Sequence, residues 1–168
     1  MFKRFSKAIA FCACALCVLC HAAGTEASET VDRASLIQAA IDFQSHSYAP
    51  YSHYNVSAAV LMSNGKTYLG ANVENAAYPA SLCAEDNAIT TAIADDKNAY
   101  IVAIAIVGGP NYTVKDYCPP CGLSRQVIRE FYKPGVTRVI VAKSKDDYKE
   151  MSLDDLLPQS FGPSMLGK

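Results

Sequence analysis

At 168 residues, about half of them apolar, the chain has enough material for one compact core and too little for two comfortable domains. A formal charge of −1 excludes the basic footprint that duplex or single-stranded nucleic acid demands, and it points to a small or neutral partner.

Residues 1–24 are of a different class from the rest. Lys3, Arg4 and Lys7 precede the apolar run "AIAFCACALCVLCHAA", and the small residues Ala22 and Gly24 suit a cleavage site. This pattern predicts a secretory signal peptide, and hence a secreted or periplasmic protein. The run is shorter than the 18 or so apolar residues of a membrane span, and the polar "GTEASET" follows directly, so no membrane contact is expected after cleavage; an uncleaved anchor is the alternative. Cleavage would remove three basic residues and no acidic ones, leaving 12 Lys and Arg against 16 Asp and Glu, a net charge of −4. It would also remove four of the seven cysteines and leave Cys83, Cys118 and Cys121. Three is an odd number for disulfides, and it is the number of protein ligands that a catalytic zinc usually has.

The folded domain is expected over residues 31–168. From Asp32 to about Ser47, Leu36, Ile37, Ala40, Ile41 and Phe43 recur at helical spacing, and "YAPYS" stops the helix with a proline. Next, "YNVSAAVLM" and "KTYLGANVE" flank Ser63-Asn64-Gly65, where an Asn-Gly pair supplies the positive φ angles of a tight hairpin. In "CAEDNAITTAIADD", Ala84, Ala88, Ile89, Ala92 and Ile93 share a helical face, and "YIVAIAIVGG" reads as a buried strand. The pattern repeats with the helical "RQVIREFYK", the breaker Pro134-Gly135 and the β-branched "VTRVIVA". Strands alternating with helices imply an α/β sandwich on a partly parallel sheet. The tail "LDDLLPQSFGPSMLGK" offers a short helix and a proline-broken end.

Two short motifs carry the chemistry. Taken singly, Glu85 in the first turn of a helix complements the helix dipole, and Cys118–Cys121 is a disulfide, a redox pair or half a metal site. Together they are more specific. A helix beginning Cys83-Ala84-Glu85, followed about 35 residues later by Pro120-Cys121 at the start of another, matches the zinc deaminase signature, in which His or Cys fills the first ligand position.

The chain resembles the cytidine deaminase family, of the small homotetrameric type that acts on free nucleosides. The resemblance runs from about Tyr48 to Leu166, through "YAPYSHYNVSAAVL", "GANVENAAYP", "CAEDNAI", "PCGLSRQVIREF" and "LLPQSFGP". It implies a three-layer α/β/α sandwich around a mixed sheet, a Zn2+ cofactor, a pyrimidine nucleoside substrate and a homotetramer. Within it, Cys83 and Cys121 correspond to zinc ligands and Glu85 to the general acid and base. Asn72 and Glu74 match a pair that hydrogen-bonds the ribose, and Tyr54 stands where an aromatic ring stacks on the pyrimidine. Phe161 matches an aromatic that closes a neighbouring subunit's site. The implied reaction is hydrolytic deamination of cytidine or deoxycytidine to the uridine with release of ammonia.

The chain departs from that pattern at two positions. Ser124 replaces the family's third thiolate, and Asp86 replaces an arginine that offsets the charge of three thiolates. Two thiolates already neutralise a zinc ion, so the two departures are electrostatically consistent with each other. Alternatively, Cys118 completes the ligand set from the other side, as soft ligands suit zinc, or Cys118 and Cys121 form a disulfide and no zinc binds. A catalytically inactive nucleoside-binding member of the family is the competing functional reading. A thioredoxin-like protein would instead place its CxxC just after the first strand.

Overall fold

The computed structural model describes residues 31–167, so the signal-peptide reading falls outside the described residues. Among those residues no helix is long and apolar enough to cross a membrane. The chain opens with helix α1, Arg33–Phe43, whose cap is Asp32: its carboxylate accepts the Ser35 N–H at 3.1 Å. The helix tightens into a single 3-10 turn, Gln44–His46, before the proline segment.

Strands β1 (Tyr54–Met62) and β2 (Thr67–Ala71) form the expected antiparallel hairpin. Its turn differs from the sequence expectation. Only Gly65 has a positive φ, at 78°, and the Gly65 N–H donates to the Met62 carbonyl. Such a three-residue loop, a turn followed by one left-handed residue, places the whole conformational demand on the glycine. Helix α2 (Ala84–Asp95), strand β3 (Ile101–Pro110), helix α3 (Gly122–Glu130) and strand β4 (Arg138–Ser144) follow in the expected alternation. Strand β5 (Asp147–Met151) was not legible in the sequence, and the short helix α4 (Leu153–Leu156) and a 3-10 turn, Pro163–Leu166, follow it.

The sheet order is β2-β1-β3-β4-β5; β3 and β4 pair in parallel and every other pair is antiparallel. Side chains alternate across it. Ala58, Val60, Ile104, Ile106 and Val139 face one core with Ala88, Ile89 and Ala92 of α2 and Ile128 of α3. Ala59, Ala103, Ala105, Val107 and Ile140 face the other, with Leu36, Ile37 and Ala40 of α1. The fold is therefore the expected α/β/α sandwich on a mixed sheet. The parallel step from β3 to β4 needs a crossover. Helix α3 supplies it on the same face as α2, so both helices begin at one end of the sheet.

Candidate active site

Two helix N-termini make the site. Cys83 caps α2 and Cys121 caps α3, and neither sulfur closes a capping hydrogen bond. A cap is ordinarily Ser, Thr, Asp or Asn, whose oxygen is spent on the first turn. A cysteine there keeps its sulfur available, at the positive end of the helix dipole that favours thiolate. Gly70 of β2 admits the start of α2, because a Cβ there would lie 2.2 Å from the Ala84 carbonyl oxygen and 2.5 Å from the Ala88 nitrogen.

The two sulfurs are 3.8 Å apart, and Cys121 Sγ is 3.6 Å from Ser124 Oγ. A tetrahedral ion with sulfur ligands at about 2.3 Å has a sulfur–sulfur edge of about 3.8 Å. The donor pair therefore fits a single zinc. Ser124 lies one helical turn beyond Cys121 on α3 and is fully buried.

Cys118, the alternative third ligand, stands on the wall of the same cleft as Cys83 and Cys121. Its sulfur packs against Gly108, where a Cβ would stand 2.9 Å away, and it neighbours the Tyr54 hydroxyl. Among the described residues no three His, Cys, Asp or Glu side chains gather as a metal site. The structure thus brings Cys83, Cys121 and Ser124 within hydrogen-bond range of one another in turn, while Cys118 shares the cleft wall and turns its sulfur to Gly108 and Tyr54. The reason is local: Cys121 and Ser124 share the first turn of α3, whereas Pro119 and Pro120 hold the preceding chain extended. All three cysteines are free, so the CxxC is not a disulfide here.

Burial sets the electrostatics. The Cys83 thiol is pushed up to about 12, chiefly by desolvation, with the nearby Glu85 and Cys121 adding to it. For Cys121 burial works the same way, but the N–H groups of Ser124 and Leu123, the Ser124 hydroxyl and the Cys83 thiol outweigh it and hold Cys121 below the ordinary thiol range. Glu85 is 4% exposed, and burial raises its carboxyl above the usual range, with Asp86 adding to the effect. A buried carboxyl raised in this way is suited to taking up and returning a proton.

These groups face a cleft of about 540 Å³. Asn72 and Glu74 stand on its wall as expected, and both are already engaged. The Asn72 amide accepts the Val56 N–H at 2.9 Å and donates to the Tyr54 carbonyl at 3.0 Å, tying β1 to the segment after β2. The Glu74 carboxylate accepts the N–H groups of Tyr51, at 2.8 Å, and Ser52. Ser52 and Tyr51 lower its pKa. Tyr54 does not line the cleft; Val56, two residues along β1 on the same face, does. The aromatic rings on the wall are Tyr51 and Tyr78, packed edge to face with centroids 5.9 Å apart. Both lie within the motifs that carried the resemblance, but nothing in their spacing marked them as wall residues. Phe161 is exposed and lies off this chain's own cleft, with its carbonyl accepting from Gln126 at 3.1 Å.

Comparison with known proteins agrees with this geometry. Residues 14–116 match the family model described as the cytidine and deoxycytidylate deaminase zinc-binding region, a span that includes Cys83 and Glu85 and stops before Cys118. The chain is 39% identical over 131 residues to a cytidine deaminase of Halalkalibacterium halodurans, covering 78% of this chain and 95% of that protein. It is also similar to the crystal structure of cytidine deaminase from Burkholderia pseudomallei, at 38% identity and a TM-score of 0.66 over 76% of this chain and 97% of that one. The cytidine deaminase structure from Mycobacterium tuberculosis matches at 32% identity and a TM-score of 0.63, over 77% and 96% of the two chains. With the matched span, the two cysteine-capped helices and the buried Glu85 in agreement, the chain belongs to the cytidine and deoxycytidylate deaminase family of zinc-binding proteins.

Proposed function

We propose that the protein is a zinc-dependent hydrolase that deaminates cytidine and deoxycytidine to uridine and deoxyuridine and releases ammonia. One observation carries this reading. Cys83, Cys121 and the buried Glu85 converge on a single cleft from two helix N-termini, with a sulfur–sulfur distance of 3.8 Å that suits one zinc. When bound, zinc supplies the Lewis acidity that makes a water nucleophilic at neutral pH. Glu85 handles the protons: its carboxylate takes one from the attacking water, passes it to N3 of the pyrimidine, and then assists departure of the amino group from C4. Burial of Glu85 keeps bulk water from competing for that proton.

Asn72 and Glu74 are assigned to the ribose. The hydrogen bonds they already make fix their orientation, and each retains capacity for the sugar: the second Asn72 N–H, and the free lone pairs of the Glu74 carboxylate. Tyr51 and Tyr78 offer apolar wall area to the nucleoside. Phe161, exposed and off its own cleft, is assigned to the site of a neighbouring subunit in a homotetramer, as the family resemblance implies. The N-terminal basic and apolar pattern assigns the mature domain to an exported, secreted or periplasmic setting.

The test is metal content of the purified mature chain, measured alongside the fall in cytidine absorbance on conversion to uridine. Stoichiometric zinc with turnover is expected. Stoichiometric zinc with nucleoside binding and no turnover would replace this reading with the inactive nucleoside-binding one, for which Ser124 at a ligand position is the motive.

A further inference from the structure

We propose that Asn87 is a positioning residue for the nucleoside sugar, its side-chain amide locking the segment that carries Asn72 and Glu74 to the helix that carries Cys83 and Glu85. The inference rests on the proposed function above and deepens it, by naming what sets the distance between the sugar-binding and the reacting ends of the cleft.

The backbone creates the need for such a tie. Strand β2 is the edge of the sheet and pairs with β1 alone. The Asn72 N–H donates to the Val56 carbonyl of β1 at 3.1 Å. Across a trans peptide the Ala71 carbonyl then points the opposite way, off the sheet edge and toward α2. Ala71 is 7% exposed, so that carbonyl needs a partner from the protein. Asn87 of α2 supplies it, Nδ2 donating to the Ala71 oxygen at 2.7 Å.

A second attachment lies two residues on. The Val73 N–H donates to the Leu82 carbonyl at 3.0 Å, and the Leu82 N–H donates back to Val73 at 2.9 Å. Asn72 therefore sits between two points fixed to the start of α2, and Glu74 follows directly after them. The Val73 and Leu82 bonds are backbone to backbone; the Asn87 bond is the one made by a side chain, and so the one a substitution can remove.

Asn87 is itself set by the reacting groups. Its N–H donates to the Cys83 carbonyl at 3.2 Å, which places it one helical turn above the sulfur-bearing cap and two residues beyond Glu85. The close approach that Gly70 permits between β2 and α2 brings the short Asn87 side chain within reach of Ala71. Asn87 is not on the cleft wall, so its effect on a nucleoside passes through Asn72 and Glu74, which are.

The test is equilibrium binding of cytidine and of 2′,3′-dideoxycytidine, by calorimetry, to the zinc-loaded mature protein carrying Glu85→Gln, so that neither nucleoside is consumed. Adding Asn87→Ala should weaken cytidine by about 3- to 10-fold, the worth of one hydrogen bond, and the dideoxynucleoside, which lacks the sugar hydroxyls, by no more than about twofold. Asn87→Asp, of the same shape but without the donor, should show the same selective loss; its added charge acts on both nucleosides alike and cancels in the ratio. Equal losses for the two nucleosides would reduce Asn87 to a structural role and overturn the assignment. Cytidine bound as tightly by either Asn87 variant as by the parent would overturn it as well. A parent protein that holds zinc and binds neither nucleoside would overturn the proposed function itself, a result distinct from the others.

Discussion

Glu85 is held where a carboxylate is costly, at 4% exposure and next to Asp86, a setting that suits the proposed proton-handling role. Glu85→Gln should keep the fold and the zinc and lower kcat by about 10²- to 10⁴-fold, which steady-state kinetics beside metal analysis would read. A variant that retained wild-type turnover would remove Glu85 from the mechanism. At this scale the sequence was informative about the gathering of Cys83, Glu85 and Cys121 on one cleft, because the two motifs together, though neither alone, make a specific pattern. It was less informative about which neighbour of Cys121 shares its helical turn. Cys118 and Ser124 each lie three residues from Cys121, and only the start of α3 at Gly122 decides which of them shares a turn with it. Tyr54 illustrates the same difficulty. Alternation along β1 gives the face a residue points to, but not how far along the strand the cleft reaches, and the wall position falls to Val56.

Among the elements, the meeting of β2 with α2 is the tightest tolerance in the site. Gly70→Ala would drive a Cβ into the Ala84 carbonyl, and backbone cannot yield as a side chain can. The expected cost is about 1–3 kcal/mol by urea denaturation, together with weaker metal binding as Cys83 is displaced. The loop before β1 depends on Glu74, whose carboxylate accepts from Tyr51 and Ser52. Its folded pKa is lowered from 4.5, so the stabilisation is present above that value and is lost as pH falls through the lowered folded value. Hydrogen-exchange protection of the Tyr51 and Ser52 amides, corrected for intrinsic rate, should follow that course in wild type and lose this pH dependence in Glu74→Gln, whose amide oxygen accepts without titrating. Strand β5 escaped the sequence reading because "DYKEM" is exposed along nearly all its length, as befits an edge strand that carries charge on its outer side. The hairpin was legible in place and length, and only the division of its turn between Asn64 and Gly65 was not.

The molecule as a whole is two cores on one sheet, and they are unequal. The α1 side is built largely of alanines, with Ala40, Ala59, Ala103, Ala105 and Ala142 all buried, while the α2 and α3 side carries Ile89, Ile104, Ile106 and Ile128. Ile89→Ala should therefore cost about 2–5 kcal/mol, read as a lowered urea midpoint at unchanged slope. The alternating strand and helix pattern made the α/β class legible, since each element's period named it. The order of the strands was not legible, because pairing is decided by which faces must be covered and no single segment encodes that.

Cys83 and Cys121 are 38 positions apart in the chain, and the segment between them holds all of α2 and β3. An ion shared by the two sulfurs would act as a clasp on that segment, closing a loop that the unfolded chain would otherwise be free to open. Loading the metal should slow global unfolding and also guard the exposed stretch around Asn111 and Tyr112 against proteolytic nicking. Such a clasp would serve as durability as well as chemistry.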